Sequence, residues 1–267
     1  MEKFITVDGC SVRVRDSEEG SPVIVLLHGY LDSMEVWEDF IPLLEGARTV
    51  RIDLPGHGKS EIKGEIHTME FLAKTVRGVL TALGIERCFV VGHSMGGYVT
   101  LELLKHYPEI CQGIVLLHST PNADKPEKKE AREQEINLVL SGKKESIAHT
   151  IPVARFALQN RKPMAAKIEE ISNGVLLMED EGITAALRGM ASRNNNNETL
   201  RQSTVPQLFI LGREDGHIPG TIAEKMIADH PQAQVVWLEH SGHMGFMEEP
   251  QLTAQTILDF VNRQVRV

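Results

Sequence analysis

Short apolar stretches recur along the chain and predict buried β-strands. Continuous apolar runs are typical of strands covered on both faces, as in parallel sheets. The strongest runs are 23–27, 113–117 and 207–211, and weaker ones lie at 49–53, 88–91 and 234–238. Near the start of the chain, segments 4–7 and 12–15 alternate between apolar and polar residues, which predicts a hairpin around Asp8 and Gly9.

Between these strands, apolar residues recur at helical spacing. The predicted helices are a short one within 34–46, one over 68–83 that Gly84 ends, and others near 96–106, 221–229 and 252–264. Strands that alternate with helices indicate an α/β fold, with a mostly parallel, doubly wound sheet that carries helices on both faces.

This alternation breaks between residues 119 and 203. The segment is mostly helix-like and polar, and it contains four prolines. It predicts a helical cap, or lid, inserted over one edge of a sheet that residues 1–118 and 204–267 form. The polar stretch 192–197 near its end is expected to be an exposed turn.

The overall charge bears on the choice of partners. With 37 acidic and 28 basic residues, the 267-residue chain carries a formal charge of −9. Nucleic acids and anionic membranes attract basic surfaces, so neither is the expected partner. Three widely spaced cysteines and no secretory h-region or apolar span of 18 residues predict a reduced, cytoplasmic protein.

A motif for nucleophilic catalysis follows the strand predicted at 88–91. Gly92, Ser94 and Gly96 match G-x-S-x-G, with a strand before the motif and a helix after it. A serine in a strained turn needs neighbours without side chains, which Gly92 and Gly96 are, while Gly97 lets the helix approach the sheet. An ordinary glycine-rich loop is the alternative interpretation.

An acid and a base follow two later strands in the order that this motif requires. Asp215 comes after strand 207–211, and His243 comes after strand 234–238. The carboxyl ends of parallel strands share one edge of the sheet, so Ser94, Asp215 and His243 are expected to meet there. The competing candidates are Glu214 for the acid and, for other roles, His240, His217, His28 and His93.

The residues disfavour two other kinds of site. The run from Gly56 to Ser60 resembles the end of a phosphate-binding loop, but the full pattern needs glycine where Asp53 stands. His240 and His243 are too few ligands for a metal site. No cofactor and no metal are therefore expected.

Taken together, these motifs resemble the α/β-hydrolase family over nearly the whole chain. The matching pieces also include His28–Gly29 and the segment from Asp53 to Ser60. The resemblance implies an eight-stranded sheet with a lid after the sixth strand, and an oxyanion hole made by the backbone N–H groups of Tyr30 and Met95. The family spacing to Pro219 favours Asp215 over Glu214, and the preceding glycine favours His243 over His240.

Three functions agree with these residues. The first is a serine hydrolase that cleaves a small carboxylic ester or lactone through an acyl-enzyme, since serine at the elbow argues against the epoxide- and halide-cleaving relatives, which carry aspartate. The second is a carbon–carbon bond hydrolase or acid-eliminating lyase with the same residues. The third is a receptor-like binding protein.

The cap bears on the choice among these functions. A lyase with a polyanionic substrate would need cations there, for which the candidates are Arg155, Arg161, Arg188 and Arg193, unless these lie on solvated helix faces. The apolar residues Phe156, Leu158, Leu176, Leu177 and Met178 could line the pocket or form the core of the cap. The substrate and the oligomeric state stay open.

Overall fold

The computed structural model describes residues 1–265, which contain one eight-stranded sheet. Its strands are β1 (Glu2–Val7), β2 (Cys10–Asp16), β3 (Val23–Leu27), β4 (Arg48–Ile52), β5 (Cys88–His93), β6 (Cys111–Leu117), β7 (Gln207–Gly212) and β8 (Gln234–Leu238). Their spatial order is β1-β2-β4-β3-β5-β6-β7-β8. Only β2 pairs antiparallel, with β1 and with β4, so the predicted mostly parallel sheet is confirmed.

Burial along the strands follows their place in the sheet. Residues of the edge strand β1 alternate between exposed and half-buried, whereas every residue of β5 and β7 is buried. The predicted hairpin joins β1 to β2 through Asp8 and Gly9, which both have positive φ angles, 48° and 75°. Two positive φ angles are what a two-residue type I′ hairpin turn requires.

Helices cover both faces of the sheet. They are α1 (Met69–Ala82), α2 (Met95–His106), α8 (Gly220–Asp229), α9 (Gly245–Glu248) and α10 (Pro250–Val265). The Thr68 side chain caps the start of α1, and Gly84, at φ +67°, follows its end as predicted. Within 34–46 the structure has two short 3₁₀ helices, Met34–Trp37 and Ile41–Leu43, instead of the one helix expected. Pro42 has no N–H to donate to the turn before it, which disfavours a single helix through this position.

Between β6 and β7 the chain forms five helices, called the helical insertion below. They are α3 (Pro126–Leu140), α4 (Lys144–Arg155), α5 (Ala165–Leu177), α6 (Asp180–Ala191) and α7 (Asn197–Gln202). Helix α6 lies directly on core loops, since a Cβ at Gly182 would overlap the carbonyl of Gly56. The insertion is thus packed against the sheet domain at the position where the sequence predicts a cap.

One segment of the insertion differs from its prediction. Asn196 and Asn197 lie in the stretch expected to be an exposed turn, but both are buried. The Asn196 amide donates to Glu102 on α2, and Asn197 accepts from His230 on the loop after α8. Buried amides need such partners, and a single sequence does not identify them. Separately, none of the helices within 1–265 has the length and apolar character needed to cross a membrane.

Candidate active site

A strained turn exposes Ser94 between β5 and α2. Ser94 has φ 50° and ψ −112°, a conformation that costs a residue with a side chain on the order of 1–3 kcal/mol. A Cβ at Gly92 would overlap the Thr100 hydroxyl, and one at Gly96 would overlap the carbonyl of Leu27. A Cβ at Gly97 would overlap the side chain of Ser119. Glycine at these three positions therefore lets the turn form and lets α2 pack against the sheet.

The loops after β7 and β8 bring an acid and a base to Ser94. The Nε2 atom of His243 lies 2.8 Å from Ser94 Oγ, and its Nδ1 atom lies 2.7 Å from Asp215 Oδ2. The other carboxylate oxygen, Oδ1, accepts the backbone N–H groups of His217 and Ile218 at 2.8 and 3.0 Å. The structure thus brings together the three residues that the sequence predicts at one edge of the sheet.

The surroundings of Asp215 favour its ionised form. Burial raises the pKa of Asp215, but the charge of His243 and the hydrogen bonds from His118 and His243 outweigh it and lower this pKa well below its ordinary value. An ionised Asp215 holds the proton of His243 on Nδ1 and leaves Nε2 free to accept a hydrogen. The arrangement can therefore take a proton from the Ser94 hydroxyl.

A second histidine, His118, contacts the acid and was not among the residues predicted from the sequence. It follows β6, and its Nδ1 lies 3.2 Å from Asp215 Oδ2. The backbone N–H of Gly245 donates to His118 Nε2, so the ring carries its hydrogen on Nδ1 and donates it to Asp215. The signal was present, because His118 directly follows a buried strand at the same sheet edge as the other site residues.

The two backbone N–H groups predicted to form an oxyanion hole belong to Met95 and Tyr30. Met95 is the first residue of α2, and Tyr30 follows β3 in the loop that we call the oxyanion loop, residues 29–32. Within residues 1–265 neither N–H donates to a protein acceptor. Helix α2 adds the positive end of its dipole at Met95. The Tyr30 hydroxyl donates to Glu135 on α3 at 2.6 Å, which ties this loop to the helical insertion.

The other candidates occupy different positions. Glu214 and His240 are exposed, while His28 is buried and accepts the backbone N–H of Leu54. His217 is exposed as a residue, but its ring packs 4.6 Å from the His243 ring, centroid to centroid, and burial lowers the pKa of His217 to about 3. His93 is buried, and its Nε2 donates to the carbonyl of His243 at 2.8 Å.

A metal ion does not suit these residues. Ligand atoms of His118, Asp215 and His243 lie within 4.8 Å of one another. Both histidines, however, direct Nδ1 at Asp215, and the lone pair of His118 Nε2 is already used by Gly245. Binding a metal there would require rearranging those hydrogen bonds.

The arginines of the insertion are mostly held by protein groups. Arg155 pairs with Asp32 and Arg193 with Asp124, and only 4% and 6% of their side chains are exposed. The interpretation that these two arginines lie on solvated helix faces is therefore wrong. Arg161 and Arg188 donate to backbone carbonyls. A charged group placed close to an opposite charge is one that can tolerate burial.

The apolar candidates of the insertion fall into three groups. Phe156 is buried in the core, whereas Leu158 and Leu177 are exposed. Leu176 and Met178 are partly buried against the core cluster that includes Val175. Phe156, Leu176 and Met178 therefore contribute to packing of the insertion.

Comparisons with known proteins identify the family of this fold. The model of the alpha/beta hydrolase fold family matches residues 22–250. An uncharacterized hydrolase of Bacillus subtilis, YugF, is 29% identical over 96% of each chain. A 2-hydroxy-6-oxononadienedioate/2-hydroxy-6-oxononatrienedioate hydrolase of Pseudomonas sp is 25% identical over 95% of this chain and 92% of its own.

Among solved structures, a thermophilic esterase from Thermogutta terrifontis superposes closely. It is 27% identical, with a TM-score of 0.92 over 99% of both chains. The similarity therefore extends over the sheet domain and the helical insertion together.

Proposed function

The chain belongs to the alpha/beta hydrolase fold family, and we propose that it is a serine hydrolase that cleaves a small carboxylic ester or lactone. The observation that carries this proposal is the 2.8 Å contact between Ser94 Oγ and His243 Nε2, with Asp215 on the other nitrogen of the ring. A serine hydroxyl is a weak nucleophile until a base takes its proton. The similarity to the Thermogutta terrifontis esterase supports an ester as the bond that is cleaved.

In the proposed acylation step, Ser94 Oγ attacks the substrate carbonyl while its hydrogen moves to His243 Nε2. The carbonyl oxygen becomes an oxyanion, which the N–H groups of Tyr30 and Met95 stabilise. Losing one such donor typically costs about 10²–10³ in rate. When the tetrahedral intermediate collapses, His243 returns the proton to the leaving alkoxide, and an alcohol departs.

Deacylation repeats these steps with water as the nucleophile. His243 takes a proton from water, the hydroxide attacks the acyl carbon, and the proton passes to Ser94 Oγ as the carboxylic acid leaves. Asp215 keeps the imidazole in the required tautomer throughout and stabilises its protonated form. No cofactor enters this scheme, and the expected partner is a small-molecule acyl substrate.

The test is hydrolysis of short p-nitrophenyl esters and a panel of lactones by the wild type and by Ser94→Ala. We expect the Ser94→Ala rate to fall by at least about 1000-fold. The matched control is Ser146→Ala, which removes an exposed hydroxyl from α4 and should leave the rate unchanged. Equal rates for the wild type and Ser94→Ala would overturn the assignment of Ser94.

A carbon–carbon bond hydrolase with the same residues is the second candidate. The observation in its favour is the similarity to the oxononadienedioate hydrolase of Pseudomonas sp. Turnover of such a substrate with little ester cleavage would favour it. A fluorophosphonate probe separates both enzymes from a receptor-like binding protein, because only an activated serine is labelled.

A further inference from the structure

Arg155, the last residue of α4, contacts both loops that flank Ser94. Its Nη1 atom lies 3.0 and 2.9 Å from the two carboxylate oxygens of Asp32 in the oxyanion loop, and 3.4 Å from the carbonyl of Tyr30. Its own backbone carbonyl accepts the backbone N–H of His243 at 2.6 Å. One residue of the helical insertion thus joins the oxyanion loop to the loop that carries the base.

His93 completes these contacts from the other side. Its Nε2–H donates to the carbonyl of His243, and its Nδ1 lies 3.8 Å from Asp32 Oδ2. Burial, together with the neighbouring His243 and His118, lowers the pKa of His93 well below its ordinary value. The neutral ring therefore carries its hydrogen on Nε2. The N–H of His243 is bound by Arg155 and its C=O by His93. Of these two residues, Arg155 hydrogen-bonds to Asp32, and His93 packs beside the Asp32 carboxylate without a hydrogen bond to it.

Both loops pack closely against Arg155 and His93. A Cβ at Gly242 would lie 2.7 Å from the carbonyl oxygen of Arg155, and one at Gly29 would lie 2.8 Å from His93 Nδ1. Such distances are shorter than real Cβ atoms allow. Because Arg155 and His93 lie this close to glycine backbone, we expect a shift of Arg155 or Asp32 to displace the loops as well.

We propose that Arg155 is a positioning residue of the hydrolytic site, which sets the Tyr30 N–H through Asp32 and the His243 backbone through its own carbonyl. This inference rests on the proposed function, because it concerns the same reaction. Oxyanion donors act only when they lie about 2.7–3.1 Å from the developing charge. A loop that loses its anchor misplaces this donor in the transition state and affects ground-state binding much less. The helical insertion therefore supplies part of the catalytic framework.

The experiment compares Arg155→Met with the double variant Asp32→Asn/Arg155→Met. The single change leaves Asp32 as a buried, unpaired charge and can unfold the chain. The double variant removes both charges and so keeps the test valid if the single variant does not fold. For each folded variant, kcat and KM are measured on one p-nitrophenyl ester, and folding is checked by thermal unfolding.

We expect both variants to lower kcat about 10- to 100-fold and to change KM less than about threefold. Arg155→Lys should recover part of the rate, because an ammonium group can still pair with Asp32. The matched control is Arg193→Met, which removes another arginine of the insertion with a buried side chain; Arg193 pairs with Asp124 and donates to the carbonyls of Asn122 and Met190. Its kcat should stay within about twofold of the wild type.

Two results would overturn the inference. One is an unchanged kcat in the folded double variant. The other is a large rise in KM at constant kcat, which would make Arg155 a substrate-binding residue. Failure of the proposed function has a different signature, since Ser94→Ala would then retain activity whatever the Arg155 variants do.

Discussion

His118 and His243 donate to the same oxygen of Asp215, at 3.2 and 2.7 Å. With two backbone N–H groups on its other oxygen, Asp215 accepts four hydrogen bonds. Each donor draws charge from the carboxylate, so His118 competes with His243 for the same negative charge. The strength with which Asp215 supports the base therefore depends on a residue outside the predicted set of three.

The first prediction concerns His118→Asn. Asparagine tolerates the positive φ of 48° at this position but is too short to reach Asp215 as the imidazole does. With one donor fewer, the pKa of Asp215 should rise, because the hydrogen bond from His118 is one of the contacts that lower it. We expect the acidic limb of the kcat/KM profile to move to higher pH. An unshifted limb in a folded variant would contradict this coupling. His106→Asn, a change at an exposed histidine on α2, serves as the control.

The second prediction concerns Asp215→Asn. The backbone N–H groups of His217 and Ile218 should hold the new amide oxygen, so that the NH₂ group faces His243. His243 would then have to turn its Nδ1 lone pair to the amide and place its hydrogen on Nε2, toward Ser94. We expect kcat to fall about 10⁴-fold, as it does in serine proteases when the same substitution imposes the wrong tautomer.

Steady-state kinetics on a p-nitrophenyl ester measure this loss. Glu214→Gln is the control, because this exposed neighbour should change kcat less than about twofold. If Glu214→Gln proved the more damaging change, the acid would be misassigned.

The third prediction concerns the strain at Ser94. Glycine adopts φ 50° and ψ −112° without a Cβ clash, whereas alanine does not. Both Ser94→Gly and Ser94→Ala remove the nucleophile, so they differ in strain and in the entropy of the unfolded chain. We expect a free energy of unfolding about 1 kcal/mol higher for Ser94→Gly, measured by denaturant unfolding. A more stable Ser94→Ala would show that the turn is not strained.

The sequence predicts the sheet and the three central residues because each lies in a local pattern. Ser94, Asp215 and His243 all follow apolar runs, and parallel strands bring their carboxyl ends to one edge. Arg155 and His93 could not be predicted in the same way. Their roles depend on which backbone carbonyl or carboxylate lies within 3 Å after loops and insertion have packed, and hydrophobic periodicity carries no information on that.

The last prediction concerns stability and pH, and it rests on His57. Burial lowers the pKa of His57 well below its ordinary value, with His28 and His67 adding to the effect. The folded protein therefore keeps His57 neutral, while the unfolded chain takes up a proton below about pH 6.5. The unfolded state then binds more protons, so stability falls as the pH drops, by about 1.4 kcal/mol per pH unit for each such histidine.

Denaturant unfolding between pH 5 and 6.5 measures this effect. The free energy of unfolding should change less steeply with pH in His57→Gln than in the wild type. The control is His149→Gln, at a histidine whose side chain is 58% exposed, and it should keep the wild-type dependence of stability on pH. If His57→Gln also kept that dependence, His57 would be protonated equally in the folded and unfolded states.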